Sequence, residues 1–226
     1  MTLKTEVLAD TPQHYVTFDQ TGTYTDTGVQ AKQVNVFGTP TQVTGISGNA
    51  LLYNGTTDYV TISSPYDFSA NTAFTFECWF KSTKATNTPT FIRRDGNGAA
   101  YLLRLNAGKI EFYCNTTAVF SPNATYANGS WHHAVGVKSG TTATLYIDGA
   151  QVATGAATTV AQAPGGQPLY LGESTSAATE MMNGTLDEVA IYNYALSSTR
   201  ISVHYQQGIN PTSDGSGSFR GWGIPL

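Results

Sequence analysis

Residues 184–197 read GTLDEVAIYNYALS, and the adjacent acids Asp187 and Glu188 are the first place to look for chemistry. Neighbouring carboxylates can act as acid and nucleophile in a glycoside hydrolase, or can hold a hard cation. The run has the composition of a strand, and successive strand side chains point to opposite faces. Alternation therefore separates the pair. Asp187 falls with Val189 and Ile191, whereas Glu188 falls with Leu186, Ala190 and Tyr192. An ionised Asp on a core face needs a charged, metal or multiple hydrogen-bond partner, such as backbone N–H groups at a strand end. Glu188 is expected to be partly solvated and to support a nearby turn or backbone amide.

Other reactive side chains are sparse. Glu77, in FTFECWF, is a lone acid, and no G-x-S-x-G elbow is present. His132 and His133 are adjacent, so alternation denies them a shared ion. His133 runs with Trp131, Val135 and Val137 and reads as a satisfied core histidine. His14 and His204 have no partner visible in sequence. Cys78 and Cys114 lie far apart with no CxxC or His-linked spacing, which argues against zinc and for two buried thiols. Hydrolysis is thus the weaker reading, and no catalytic residue is assigned.

The elements that must position these groups are short strands. Charged residues make up only 12% of the 226 residues, while 23 Gly and 13 Tyr favour strands and tight turns over helices. Runs such as DYVTIS, FTFECWFKS, TFIRR, KIEFYCN, WHHAVGVKS and ATLYIDG follow one another at short spacing, the pattern of an antiparallel sandwich. Two hairpins can be registered directly. A turn at Ala107-Gly108 pairs Leu105 with Ile110, Arg104 with Glu111, Leu103 with Phe112 and Leu102 with Tyr113. A type I′ turn at Asp148-Gly149 pairs Ile147 with Ala150 and Leu145 with Val152, with Tyr146 and Gln151 pointing the other way. Tyr113, Tyr146, Arg104 and Glu111 then form a non-core face suited to stacking and orienting a sugar.

One helix is expected over ALSSTRISVHYQQG, with Ser197 as N-cap and Gly208 as its stop. Residues 1–13 read as an N-terminal arm without the apolar stretch of a secretory signal, 14–208 as the domain, and 209–226 as a Gly/Ser-rich tail. Phe219, Trp222 and Ile224 are the tail's candidates for docking on a partner. A net charge of −4 without a Lys/Arg cluster argues against nucleic acid, and no apolar run is long enough for membrane insertion.

The ordered set NALLYNGTTDYVTI, FTFECWFKS, WHHAVGVKSGTTATLYIDGAQVATG, LYLGES and MNGTLDEVAIYNYALSSTRISVHYQQG resembles the laminin G-like group of concanavalin A-like lectin/glucanase domains. The resemblance covers roughly residues 46 to 208. It implies an all-β, two-sheet antiparallel jelly roll with one concave sheet, a short C-terminal helix and an extended tail. The glucanases of this superfamily carry an E-x-D-x-E strand, which is missing here. The resemblance also implies a structural Ca2+, held by Asp187, by a carbonyl of the Phe18-Asp19 segment and by Gly48. The opening VLADTPQHYVTFDQ looks like the lead-in of bacteriophage versions of the domain, though without the Trp and Arg that commonly follow the Tyr.

The function this implies is a non-enzymatic virion surface protein, a minor tail or receptor-binding component contacting host glycans. It would assemble in the host cytoplasm and meet other virion proteins through its tail, in a homo-oligomeric or multi-protein assembly. The alternatives are a purely structural capsid or tail decoration protein, and a cellular carbohydrate-binding or glycan-cleaving protein.

Overall fold

Period-two alternation needs two apolar faces to bury, and the strands meet that need by forming two stacked antiparallel sheets. The structure is a computed structural model that describes residues 2–63, 73–86, 88–96, 99–158, 167–173 and 180–211. Phe219, Trp222 and Ile224 lie outside the described residues. An eight-stranded sheet runs in the order β13 (Ala150–Ala156), β12 (Thr142–Ile147), β11 (Trp131–Ser139), β6 (Phe74–Lys81), β15 (Asn183–Tyr192), β4 (Asn49–Asn54) and β3 (Thr41–Thr44). Its eighth strand, β1 (His14–Val16), pairs with β15 beside that path. A seven-stranded sheet runs β10 (Thr117–Phe120), β9 (Lys109–Cys114), β8 (Ala99–Asn106), β7 (Thr90–Gly96), β14 (Leu169–Leu171), β5 (Tyr59–Ile62) and β2 (Val34–Phe37).

Phe76, Phe80, Phe91, Leu103, Phe112, Leu171 and Ile191 fill the space between the sheets. Cys78 and Cys114 are free thiols in that core, and burial raises the pKa of each, Cys114 to about 12. The β8–β9 register is the one read from sequence, with Arg104 opposite Glu111 and Leu105 opposite Ile110. In the β12–β13 hairpin Ile147 does face Ala150, across a turn in which Asp148 and Gly149 both have positive φ. Leu145, however, faces Ala153 and not Val152. A bulge between Leu145 and Tyr146 takes up one residue.

A second layer covers the outer face of the eight-stranded sheet. Residues expected as an arm form α1 (Leu3–Ala9), opened by a Thr2/Thr5 capping box. Helix α2 (Ser198–Ile209) starts at the expected Ser197 cap. Leu3, Val7 and Ile201 pack with Trp79, Val135, Tyr146 and Tyr192 of the sheet. The helices are tied together by Arg200, which donates to Asp10 Oδ2 at 2.7 Å and Glu6 Oε2 at 2.8 Å. Gly208 does not stop α2, which continues to Ile209. A Cβ at Gly208 would lie 2.3 Å from Cζ2 of Trp79, so its lack of a side chain lets the helix close onto the indole.

Strand β15 departs from simple alternation at the acidic pair. Asp187 faces Trp79 on β6, yet Ala190 faces Glu77, so one extra residue is accommodated between them. Glu188 takes a positive φ of 50°. Leu186 and Val189 therefore both reach the inter-sheet core, and Asp187 and Glu188 both leave it on the opposite side. The expectation that alternation splits the acids, with Asp187 beside Val189 and Ile191, is corrected by this bulge.

Candidate functional site

The outward residues of the seven-stranded sheet form a band of alternating charge. Glu111 Oε2 accepts from Arg104 Nε at 2.7 Å and from Asn106 Nδ2 at 2.8 Å. Arg104 Nη1 donates to Glu180 Oε1 at 3.0 Å, and Arg93 Nη1 reaches Glu180 Oε2 at 3.4 Å. Arg93 Nε closes the chain on the Asp95 carboxylate at 2.8 and 3.0 Å. Strands β7, β8 and β9 and the residue preceding Met181 thus supply one continuous five-member network. The Arg93 and Arg104 side chains are only 11% and 16% exposed, so they lie along the sheet and are not splayed into solvent.

Beside the network stands an aromatic ladder. Tyr170 on β14 is in register with Arg93. It lies 6.4 Å from Tyr59 on β5, which stacks on Phe37 of β2 at 4.4 Å with planes 6° apart. Phe37 is 41% exposed. Nearby, burial raises the pKa of Glu173 against the pull of Arg93, and among the described residues its Oε2 is buried without a hydrogen-bond partner. Aromatic faces that can stack on a pyranose, next to planar forks and carboxylates that can bond vicinal hydroxyls, are the makings of a sugar-binding surface.

The acidic pair on β15 makes a different arrangement. Asp187 Oδ2 accepts from the backbone of Ile46 at 3.0 Å and Ser47 at 3.3 Å, and its Oδ1 accepts from Glu188 N–H at 2.8 Å. Glu188 accepts a hydrogen bond from the Tyr15 hydroxyl, and its Oε1 is buried with no hydrogen-bond partner among the described residues. Burial, together with the charge of Glu188, holds the Asp187 carboxyl well above the usual range, and burial pushes Glu188 up to about 8. Asp19 Oδ1 accepts from Asn49 N–H at 3.0 Å and lies against Gly48, whose carbonyl accepts from Gly45 N–H. Among the described residues, no group of three or more His, Cys, Asp or Glu is placed to hold a metal ion.

A third cluster joins the sheet to the helices. Glu77 accepts from Tyr192 Oη at 2.9 Å and sits 2.8 Å from His133 Nε2 and 2.9 Å from His204 Nδ1. All four residues are essentially inaccessible. His14, which showed no partner in sequence, lies 2.7 Å from Asp26.

The profile of the family described as the concanavalin A-like lectin/glucanases superfamily matches residues 54–202, well over half of the chain. The chain belongs to that superfamily. No curated protein sequence matches it. Among solved structures it is similar to the binding domain of Paraclostridial mosquitocidal protein 1, with a TM-score of 0.73 and 13% identity over 90% of this chain and 53% of that one. It is also similar to the botulinum neurotoxin serotype D binding domain, with a TM-score of 0.69 and 14% identity over 87% and 52% of the two chains. The chain spans about half the length of these toxin domains. Domain 4 of the arabinanase AbnA from Geobacillus stearothermophilus, solved with arabinotriose, is covered almost whole. Its TM-score is 0.64 at 16% identity, over 86% of this chain and 98% of that one. At these identities the likeness is one of fold.

Within this lectin/glucanase fold the four sugar-site candidates do not share a face. Arg104, Glu111 and Tyr113 lie together on β8 and β9, but Tyr146 is on β12 of the other sheet, 9% exposed among the helix-side apolar residues. Each points away from the inter-sheet core, and two sheets have two such faces. Arg93, Asp95, Tyr59 and Tyr170 were missed. Alternation in TFIRRD, DYVTIS and PLYLGE places each on an outward face, but not on a common one. Glu180 precedes β15 and carries no periodic signal. Glu188, expected to be partly solvated, is only 2% exposed because the bulge turns it toward Tyr15.

Proposed function

We propose that the domain is a non-catalytic glycan-binding module whose contact surface is the outer face of the seven-stranded sheet. The observation that carries this reading is the Glu111–Arg104–Glu180–Arg93–Asp95 network running beside the Phe37–Tyr59–Tyr170 ladder. The binding domains and the arabinotriose complex among similar structures support it. The proposal extends to a virion surface setting, as a phage minor tail or receptor-binding component contacting host glycans. Support for that setting is the VLADTPQHY lead-in, and the tail residues Phe219, Trp222 and Ile224 would be its docking contacts. A glycan array probed with the wild type, Arg104→Ala and Tyr170→Ala tests the surface. Selective binding lost in both folded variants supports it, and binding unchanged in both overturns it.

A structural Ca2+ is a companion proposal. Asp187, Asp19 and the Gly48 carbonyl are hard oxygen donors of the kind calcium takes, and since their carboxylates are not gathered into one cluster, the ion would have to draw Asp19 and the 45–48 loop toward β15. A bound cation would hold the 45–48 loop against β15 and offset two adjacent buried carboxylates.

A further inference from the structure

A cleft of about 250 Å3 opens on the eight-stranded sheet, on the opposite side of the sandwich from the charged network. Leu52 of β4, Lys81, Ser82 and Thr83 at the end of β6, and Asn183 and Thr185 at the start of β15 contribute to its walls. Leu51 and Tyr53 point into the inter-sheet core, so Leu52 points outward, where it is 41% exposed. Lys81 pairs in register with Thr185 on one side and Trp131 on the other, and its ammonium stands 5.1 Å from the centroid of the Trp131 ring.

The chemistry of these walls is one-sided. Among the described residues no carboxylate lines the cleft, in a chain where 15 acids outnumber 11 bases. Among the described residues Lys81 has no carboxylate within ion-pair distance; its neighbour is the indole face, which fixes the charge without neutralising it. Thr83 and Thr185 bring hydroxyls, Asn183 an amide and Leu52 a small apolar surface. Sites for drug-sized ligands run to about 300–1,000 Å3, so this cleft has room for a single small residue.

We propose that the cleft binds one acidic sugar residue, with its carboxylate on the Lys81 ammonium, its ring against Leu52 and its hydroxyls on Thr185 and Asn183. The site is separate from the glycan face proposed above and stands without it.

NMR titration of the full chain with D-glucuronate and N-acetylneuraminate, with glucose as the neutral control, tests the assignment. At least one acidic sugar should shift the Thr83 and Thr185 amides, and glucose should not. Lys81→Gln should weaken binding about tenfold or more, the loss expected for a charge-assisted hydrogen bond. Leu52→Glu changes an exposed position, so it keeps the fold while adding a repulsive carboxylate, and it should abolish binding. Arg104→Ala should leave this binding intact. The proposal fails if neither acidic sugar binds, if glucose binds equally well, or if Leu52→Glu binds like the wild type.

Discussion

His204 Nδ1 stands 2.9 Å from Glu77 Oε1, and both side chains are buried. The contact links α2 to the middle strand β6, with His133 on the other side of the same carboxylate oxygen at 2.8 Å. Removing one member of a buried charged set leaves the rest uncompensated, typically at a cost of about 3–5 kcal/mol. Glu77→Gln should therefore lower unfolding free energy by about that much in urea titrations.

The same cluster sets a pH window. Burial opposes the charge on Glu77, but attraction from His204 and His133 outweighs it and holds the carboxyl well below 4.5. Burial likewise opposes charging His204, and Glu77 with Asp10 outweighs it and raises the imidazole above 6.5. A depressed carboxyl stabilises above its unfolded value and loses that contribution as pH falls through its folded one. A raised imidazole stabilises fully below its unfolded value and loses that contribution as pH rises through its folded one. The cluster's contribution should peak between 4.5 and 6.5 and decline on both sides. Unfolding measured across pH should show this hump in the wild type and a flatter profile in Glu77→Gln.

Gly208→Ala should destabilise the α2 docking. The added methyl meets Trp79 at 2.3 Å, an overlap that must move helix or ring. Overpacking of this kind costs about 1–3 kcal/mol. Chemical denaturation gives the value, and a neutral result would mean that α2 can shift at no cost.

Arg104→Ala should cost stability as well as binding. Glu111 is 2% exposed and would keep only Asn106 as a hydrogen-bond donor among the described residues. A loss of about 1–3 kcal/mol is expected, read as a lower thermal midpoint.

If calcium sits between Asp187 and the 45–48 loop, the melting temperature should rise with added Ca2+ and fall with chelator. A ligand at a hundred times its dissociation constant adds about 2.7 kcal/mol. Identical melting curves would remove the ion from the proposal.

The sequence by itself determined most of the strands, though not β2, β3 or β10, together with the Arg104–Glu111 register and the Ser197 cap, because these rest on side-chain alternation, turn residues and N–H capping over a few positions. The sandwich followed from strands that each bury one face. Only the tertiary structure decided that Tyr113 and Tyr146 face away from each other on different sheets, since alternation gives a side and not a sheet. It also decided that Asp187 and Glu188 stand together. The β15 bulge depends on the register with β6 beside it, and one inserted residue brings Asp187 to the side of Glu188 while Val189 and Ile191 keep the core face. The Glu77 cluster has the same origin. Its members, at positions 77, 133, 192 and 204, come from three strands and a helix, and no local pattern links them before the helix layer closes over the sheet.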